Sequence, residues 1–204
     1  YWTTIEQNYI FLVAADCTGH GVPGALMANM GMMFLYSIIK QNKIYNPCDI
    51  LEKLHQEVSV ALKQEKTTNN SGMDVTILRI ESVNNQKSKK IIFSGAKHNI
   101  LYFDIQKKSI SELKGTRKSI GGFQNVQKKF ETHEFDLHAG YLIYLGSDGL
   151  EDQNNTKRKK FGRTKIKSII QENYHLPLQQ QQEKFEQAVQ QHMEGELQRD
   201  DILW

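Results

Sequence analysis

The fold is decided at residues 16–25, Asp16-Cys-Thr-Gly-His-Gly-Val-Pro-Gly-Ala25, where an apolar run meets a glycine-rich turn and then a long helix. The preceding run, Tyr9–Ala15, is apolar and rich in residues that favour strands, so it predicts a buried strand. The two glycines of Gly-His-Gly permit a tight turn, and the proline after them suits the first turn of a helix. Asp16 is therefore expected where a buried strand reaches the surface.

Asp16 is a candidate metal ligand, because a hard divalent cation needs a carboxylate on a rigid strand end with backbone oxygens close by. The simpler interpretation is that Asp16 caps the following helix. Two later stretches repeat the pattern: Tyr141–Gly146 is an apolar run that leads into Ser147-Asp148-Gly149, and Asp200-Asp201 precedes a final apolar run. Three strand edges thus offer aspartates. Such oxygen ligands suit magnesium, manganese or calcium, whereas zinc prefers histidine and cysteine.

Two consecutive amphipathic helices are predicted after the first strand, at Gly24–Lys40 and Pro47–Gln64. Apolar residues recur on one side of each helix, and the methionine-rich side of the first is interpreted as core rather than as a binding surface. The predicted core residues are Leu26, Met30, Met33, Phe34 and Ile38 in the first helix, and Ile50, Leu51, Leu54, Val58 and Leu62 in the second.

A series of strands and two late helices follow, joined by polar turns. The strand Lys128–Phe135 is expected to pair with Tyr141–Leu145 around Leu137–Gly140. This order differs from the alternating pattern of a parallel sheet, so it indicates antiparallel sheets covered by helices. The other predicted strands are Met73–Ile80, Lys90–Ser94, Ile100–Ile105 and Ile110–Leu113, with turns at Asn84–Lys89 and Gln106–Ser109 and helices at Arg163–Glu172 and Leu178–Met193.

Six short motifs occur along the chain in the order Asp16-x-Thr-Gly-His-Gly-Val-Pro-Gly-Ala25, Gly72-Met-Asp-Val75, Ser94-Gly-Ala-x-His-Asn99, Ser119-Ile-Gly-Gly122, Ser147-Asp-Gly-Leu150 and Asp200-Asp-Ile202. With these motifs the chain resembles the stage II sporulation E-like (SpoIIE/RsbU-type) phosphatases, which belong to the metal-dependent PPM serine/threonine phosphatase superfamily. The resemblance extends over essentially the whole chain. The first and last motifs are specific when they occur together, whereas Ser-Asp-Gly alone would be poor support.

The resemblance implies the α/β (α+β) fold class, as a PPM phosphatase-like α-β-β-α sandwich of two antiparallel sheets flanked by helices. Members of the family carry another metal-associated aspartate in a Gly-Asp-aromatic motif before the first strand, and Tyr1-Trp2 resembles the end of that motif. That aspartate is expected upstream of Tyr1. Residues 1–204 are accordingly expected to be a single domain, trimmed at both ends, of a larger signalling protein.

The resemblance also implies a metal site with two ions, Mn²⁺ or Mg²⁺. In this interpretation Asp16 bridges both ions, Cys17 contributes its backbone carbonyl, and Asp148 and Asp200 complete the set. Asp201 replaces Asp200 if the last motif is misregistered by one residue. Hydroxide generated at the metals would then attack the phosphorus of phosphoserine or phosphothreonine without a covalent enzyme intermediate.

Three side chains in the motifs have two interpretations each, and a fourth has one. His20 could donate a proton to the leaving oxygen, since histidine titrates near neutral pH, or it could hold the loop by a hydrogen bond to backbone. Cys17 could be a nucleophile, but packing under the turn is the simpler interpretation. Asp74 could orient a metal-bound water, or it could have a turn or strand-cap role, and His98 is expected to support a turn between strands.

Composition excludes several classes of function. The net charge of +3 gives no general case for nucleic-acid binding. Two cysteines argue against a disulfide scaffold and fit a cytoplasmic location for the domain. No run is expected to reach the ~20 apolar residues of a membrane span, although the parent protein could be membrane-anchored. The basic run Lys157–Lys160, with Arg163, Lys165 and Lys167 behind it, is either a solvated face or an attractor for an acidic, phosphorylated partner.

The predicted function is metal-dependent hydrolysis of phosphoserine or phosphothreonine on a signalling protein. The family implies a phosphorylated anti-sigma-factor antagonist as substrate, an upstream sensor domain in the parent chain, and a homodimer as one mode of control. The alternative is a phosphatase-like interaction module without catalysis. A hydrolase that acts on another phosphoester is a third, weaker interpretation.

Overall fold

The structure, a computed structural model, describes residues 1–81, 88–123 and 129–203. It is a mixed α/β protein that divides into two compact units: residues 1–99 with 113–139, and residues 100–112 with 140–204. Its elements are β1 (Trp2–Glu6), β2 (Tyr9–Cys17), α1 (Gly21–Tyr36), α2 (Pro47–Ala61), β3 (Gly72–Glu81), β4 (Ser88–Ala96), β5 (Ile100–Asp104), β6 (Ser109–Leu113), β7 (Ile120–Gly121), β8 (His133–His138), β9 (Leu142–Tyr144), α3 (Gly149–Asp152), α4 (Arg163–Asn173) and α5 (Leu178–Met193).

The first unit is built on an antiparallel sheet with strand order β1-β2-β3-β4-β8, to which β7 adds by pairing with the start of β3. The apolar run predicted as a strand becomes β2, which extends two residues further, to Cys17. In the β2–β3 pair Asp16 lies directly opposite Asp74. The sheet therefore brings two of the sequence motifs into register.

Helices α1 and α2 pack on this sheet, α1 against β2 and α2 against β3, β4 and β7. Helix α2 begins cleanly because Pro47 occupies its first turn and the Asn46 side chain accepts a hydrogen bond from the Cys48 amide. Burial of its apolar side stabilises the fold by about 1.5–3 kcal/mol for each large side chain. As predicted, Ile50, Leu51, Leu54 and Val58 are fully buried, while Leu62 is partly buried.

The buried side of α1 differs from the prediction. Leu26 and Met33 are 65% and 63% exposed, whereas Met27 and Leu35 are buried in their place. The reason is that α1 is apolar on all sides, so the helical period alone does not fix which side meets the sheet. Met30 and Phe34 pack partly against the core, as expected, and Ile38 is buried in the single π-helical turn, Ser37–Gln41, that continues α1.

The sequence analysis expected no segment with the apolar character of a membrane span, but one helix has the length and apolar composition of such a span. The continuous helix Gly21–Gln41 has a mean hydropathy of 1.5 and is long enough to cross a membrane. By itself this is weak support for a span, because the core helix of a soluble protein passes the same test.

The second unit has a three-stranded sheet with order β6-β5-β9. Leu101 and Phe103 of β5 pack with the apolar sides of α4 and α5, which also contact each other. The side chains that complete this second core are Leu150, Phe161, Ile166, Ile169, Ile170 and Phe185.

The predicted pairing of the strands at 128–135 and 141–145 is wrong. Strand β8, His133–His138, pairs with β4 in the first sheet, and β9 pairs with β5 in the second. The short polar link between them looks like a hairpin turn in sequence, but it passes from one unit to the other. Residue 128 and most of the predicted turn Asn84–Lys89 lie outside the described residues. The prediction also missed three short elements, β1, β7 and α3.

Candidate metal centre

Asp16 is positioned by the hydrogen bonds of its neighbour Thr18. The Thr18 hydroxyl donates to the Gly72 carbonyl at 2.8 Å and accepts from the Gly72 amide at 3.0 Å, while the Thr18 amide donates to the same carbonyl at 2.9 Å. These bonds fasten the end of β2 to the start of β3. Asp16 is half-buried there, at the position where the sequence predicts a strand to meet the surface.

Asp74 faces Asp16 across the strand pair, since opposed residues of antiparallel strands project to the same side of a sheet. The Ser119 hydroxyl donates to Asp74 Oδ1 at 2.6 Å. Asp74 lies inside β3 rather than at its end, so the strand-cap interpretation is wrong. The Ser119–Asp74 bond instead fixes the direction of a carboxylate beside Asp16.

Cys17 is partly buried at the end of β2. Burial raises the pKa of its thiol above the ordinary value, and the negative charge of Asp16 raises it further. Since the thiolate is the reactive form, both effects disfavour a nucleophilic role at neutral pH. The environment agrees with the simpler interpretation of Cys17 as a packed side chain.

His20 occupies the N-cap position of α1 and is exposed. It lies between two glycines with left-handed backbones, Gly19 at φ +95° and Gly21 at φ +64°, which confirms the tight turn. Within the described residues its side chain makes no hydrogen bond that caps the helix. That arrangement leaves the imidazole directed to solvent, where a proton donor would be accessible.

Asp148 is the exposed N-cap of the short helix α3 in the second unit. Its carbonyl accepts the Asp152 amide at 2.8 Å, which fixes the turn that presents the carboxylate. An ion-pair network holds the next residues of the helix. Arg163 binds Glu151 at 2.5 Å and also Glu112, and Lys167 binds Glu112 at 2.9 Å.

In this ion-pair network, the attraction of the carboxylates outweighs the effect of burial on the pKa of Arg163. Burial lowers the pKa of Arg163, but hydrogen bonds and charges from Glu151 and Glu112 leave that pKa raised overall. Lys160 similarly pairs with Asp152 at 2.8 Å, which raises its pKa. Lys160 of the basic run, with Arg163 and Lys167 behind it, is therefore paired with carboxylates.

Asp200 and Asp201 follow α5 in a segment without helix or strand, and both are exposed. The Asp201 amide donates to Asp200 Oδ1 at 2.8 Å. The Asp201 carbonyl accepts the Ser147 hydroxyl at 2.8 Å. The two adjacent aspartates therefore differ in their contacts. The Asp200 side chain is exposed to solvent, whereas the Asp201 backbone carbonyl is bound to the Ser-Asp-Gly motif.

Gly149 explains why the Ser-Asp-Gly motif needs glycine. A Cβ atom at this position would lie closer to the Asp201 carbonyl oxygen than 3.0 Å, a distance below which Cβ atoms in proteins are essentially never found. The Ser147 amide and the Leu203 carbonyl also bond at 3.1 Å, and the Leu203 amide donates to the Ser147 hydroxyl at 3.1 Å. The C-terminal segment therefore lies directly on the motif that carries Asp148.

Gln153, at the end of α3, makes a second connection to that segment. It is 1% exposed, its Oε1 accepts the Arg199 amide at 3.3 Å, and its Nε2 donates to the Leu197 carbonyl at 3.2 Å and to the Asn154 carbonyl at 3.1 Å. The sequence analysis did not identify Gln153. The one sequence feature that could have pointed to Gln153 is its position as a polar residue shortly after Asp148. Helix α3 is too short for its apolar residues to show a helical periodicity.

The predicted site residues are thus distributed over both units. Asp16, Cys17 and His20 belong to the first unit, and Asp148 and Asp200 to the second. Among the described residues, no group of three or more His, Cys, Asp and Glu side chains is close enough to hold a metal ion. The donor chemistry nevertheless fits a hard divalent cation, since exposed or half-buried carboxylates at fixed backbone positions are the ligands that Mg²⁺ and Mn²⁺ prefer.

Comparison with solved structures identifies the fold as that of PP2C-type phosphatases. The SiaA-PP2C domain of Pseudomonas aeruginosa is 26% identical, with a TM-score of 0.83, over 98% of this chain and 76% of that one. The PP2C phosphatase domain of SpoIIE from Bacillus subtilis gives a TM-score of 0.69 at 16% identity, over 98% of this chain and 55% of that one. RsbX in complex with magnesium gives 0.59 at 15% identity, over 98% and 81%.

The family itself is shown by sequence. The model of the stage II sporulation protein E (SpoIIE) family matches residues 6–204, so the chain belongs to that family. A comparison with curated proteins gives no match. The resemblance inferred from the six motifs is therefore confirmed, as is the mixed α/β fold with antiparallel sheets. Family membership and the likeness to the SiaA-PP2C domain support a protein phosphatase at the level of the family.

Proposed function

We propose that the protein hydrolyses phosphoserine or phosphothreonine on a signalling protein, with Mn²⁺ or Mg²⁺ as its metal. The observation that carries this proposal is the presence of Asp16, Asp148 and Asp200 within the span that matches the SpoIIE family, the first two at positions fixed by a strand and a helix. The magnesium complex of RsbX, which shares the fold, favours the same class of metal. Bound divalent ions of this kind polarise a phosphoryl oxygen and lower the pKa of water.

The residues of the chain have separate tasks in this proposal. Asp16 and Asp148 provide carboxylates on backbone that hydrogen bonds hold rigid, and Asp200 adds a third from the C-terminal segment. Cys17 contributes a backbone oxygen rather than its thiol, whose raised pKa keeps it protonated. His20, exposed at the start of α1, can donate a proton to the leaving serine or threonine oxygen.

The substrate that we propose is a phosphorylated protein of a partner-switching system, such as an anti-sigma-factor antagonist. The family and the structural likeness to the RsbU and SpoIIE phosphatase domains support this class. Control by an upstream sensor domain and by homodimer formation belongs to the same proposal.

The test is Mn²⁺-dependent phosphate release from phosphocasein and from p-nitrophenyl phosphate, for the wild type, Asp16→Ala, Asp148→Ala and Cys17→Ser. We expect the rate of phosphate release to fall in each aspartate variant by more than the roughly 10- to 100-fold that the loss of an outer-sphere partner causes. The circular dichroism spectrum should be unchanged. Cys17→Ser should stay within about threefold of wild type, because the thiol is not the nucleophile.

Full activity of Asp16→Ala or Asp148→Ala would contradict the site assignment. A complete loss in Cys17→Ser would restore the nucleophilic interpretation. A folded wild type that binds Mn²⁺ but releases no phosphate from either substrate would favour the non-catalytic interaction module. Release from p-nitrophenyl phosphate alone would favour a hydrolase of other phosphoesters.

A further inference from the structure

The segment that carries Asp200 has no helix or strand of its own between residues 194 and 203, yet the structure gives it a defined position. A segment of this kind needs partners from elsewhere, because each backbone group that it cannot pair internally must be paired with another group or with water. Its partners in the second unit include Ser147 and Gln153, which lie on either side of Asp148 and α3 in the chain.

The two contacts bracket the two aspartates. Ser147 immediately precedes Asp148 and binds Asp201 and Leu203, just after Asp200. Gln153 follows α3 and binds Leu197 and Arg199, just before Asp200. We call this arrangement the C-terminal clasp: Ser147 and Gln153 on one side, and residues 197–203 on the other.

Gln153 is suited to this task by its burial. A buried side-chain amide costs free energy unless its hydrogen-bonding groups are paired, and here both the oxygen and the nitrogen are bonded to backbone. Displacement of residues 197–199 would break the bonds of the Gln153 oxygen to the Arg199 amide and of its nitrogen to the Leu197 carbonyl, and would leave only the bond to Asn154. The amide therefore resists movement of the segment in either direction.

We propose that Gln153 is a positioning residue that, with Ser147, sets the place of the Asp200 carboxylate relative to Asp148 for metal binding. The inference rests on the proposed function, because it takes Asp148 and Asp200 as ligands of the metal. Gln153 touches neither metal nor substrate in this scheme. It acts through the backbone of residues 197–199, as outer-sphere partners act on ligands in other metal sites.

A second buried glutamine of the same unit provides a matched control. Gln181 is 4% exposed and also has both ends of its amide bonded: Oε1 accepts the Tyr144 hydroxyl at 2.7 Å, and Nε2 donates to the Leu176 carbonyl at 2.8 Å. Its partners lie on β9 and before α5, and neither is a member of the C-terminal clasp. Substitution at Gln181 should therefore perturb the fold without moving Asp200.

The experiment compares wild type, Gln153→Met and Gln181→Met, in which methionine keeps the volume but removes the amide. Mn²⁺ affinity is measured by electron paramagnetic resonance of the free ion, and the Mn²⁺ concentration for half-maximal phosphate release is measured beside it. We expect Gln153→Met to weaken Mn²⁺ binding roughly 10- to 100-fold, with activity restored at high Mn²⁺. Gln181→Met should bind Mn²⁺ with an affinity within about twofold of wild type, even if its Tm falls as much as the Tm of Gln153→Met does.

Equal Mn²⁺ affinity in Gln153→Met and wild type would overturn the proposal, as would an equal loss in both variants. If Gln153→Met does not fold, amide hydrogen exchange of the wild type decides instead. The clasp requires slow exchange at Arg199 and Leu203, whose amides donate to Gln153 and Ser147, and fast exchange at both would overturn it. A wild type that binds no Mn²⁺ would overturn the clasp's role, whereas one that binds Mn²⁺ but lacks phosphatase activity would contradict the proposed function alone.

Discussion

At the scale of single residues, a severe steric constraint near the candidate centre lies at Gly149. The Asp201 carbonyl occupies the space that a side chain would need there, while Ser147, one position before Asp148, binds the same carbonyl. The small residue and the hydroxyl therefore act together, since the first allows the backbones to approach and the second bonds them. Asp148 lies between these two residues.

Substitution of Gly149 by alanine tests this close approach. We expect Gly149→Ala to lower the free energy of unfolding by about 1–3 kcal/mol, because the added methyl group must push residues 200–201 away. The same displacement should weaken Mn²⁺ binding by roughly 10-fold or more. Urea denaturation and isothermal titration calorimetry measure the two effects.

Gly195→Ala is the comparison variant. Gly195 has a left-handed backbone at φ +92°. Among the described residues other than its two chain neighbours, no atom lies within 4 Å of the place that an added methyl group would take, so alanine is expected to cost stability through backbone strain. Its Mn²⁺ affinity should stay at the wild-type value. A Gly149→Ala protein that binds Mn²⁺ as tightly as Gly195→Ala would show that the close approach has no bearing on the metal.

At the scale of elements, α2 does more than cover the sheet with its apolar side. Its polar residues Glu52 and His55 reach the loop before β7 and β7 itself. Glu52 pairs with Lys118 at 3.1 Å, and His55 Nδ1 accepts the amide of Gly121, the last residue of β7, at 3.0 Å. Lys118 itself lies over the Phe130 ring at 4.4 Å. These contacts hold the loop that presents Ser119 to Asp74.

The His55 contact predicts a dependence of stability on pH. Burial lowers the pKa of His55 and the charge of Lys118 lowers it further, against smaller opposing effects of Glu52 and the Ser119 backbone. The folded chain therefore resists protonation more than the unfolded chain, whose histidine titrates near 6.5. The contribution to stability is complete above that pH and is lost as the pH falls through the lower, folded-state pKa.

Thermal unfolding measures this effect. Between about pH 7.5 and about pH 5, we expect the Tm of wild type to fall more than that of His55→Gln, which keeps a hydrogen-bond acceptor but does not titrate. Parallel curves for the two proteins over this range would show that His55 does not contribute.

At the scale of the whole molecule, much of the fold could be predicted from sequence. The α2 pattern placed Ile50, Leu51, Leu54 and Val58 correctly in the core, because a helix with one apolar side has only one way to bury it. The side of α1 could not be predicted, since its apolar residues surround the helix and only the sheet decides between them. The pairing of β8 with β4 could not be predicted either, because the two strands are far apart in sequence and the short link from β8 to β9 is typical of a hairpin.

The candidate site divides in the same way. Asp16, Asp148 and Asp200 could be selected because each follows or precedes an apolar run within a recognisable motif. Ser119 was part of a motif, but its bond to Asp74 joins residues 45 positions apart, and Gln153 belongs to no motif. Such partners are set by tertiary contacts, and a single sequence gives no local sign of them.

Metal binding should stabilise the whole folded chain if the proposed function is correct. A ligand that binds only the native state at 100 times its Kd adds about 2.7 kcal/mol, which corresponds to several degrees in Tm for a protein of this size. Differential scanning calorimetry with Mn²⁺, followed by excess chelator, should show the rise and its reversal. Asp16→Ala should show little of either, and an equal rise in that variant would place the ion elsewhere.

The partial burial of Cys17, together with that of Cys48, makes the protein convenient for spectroscopy. Cys17 and Cys48 are the only cysteines, and burial raises the pKa of both thiols, so both react slowly with maleimides near neutral pH. A cysteine introduced at an exposed position, such as that of Lys157, would become the fastest-reacting thiol in the chain. Spin labels or fluorophores can therefore be attached at one chosen point while the native cysteines stay in place.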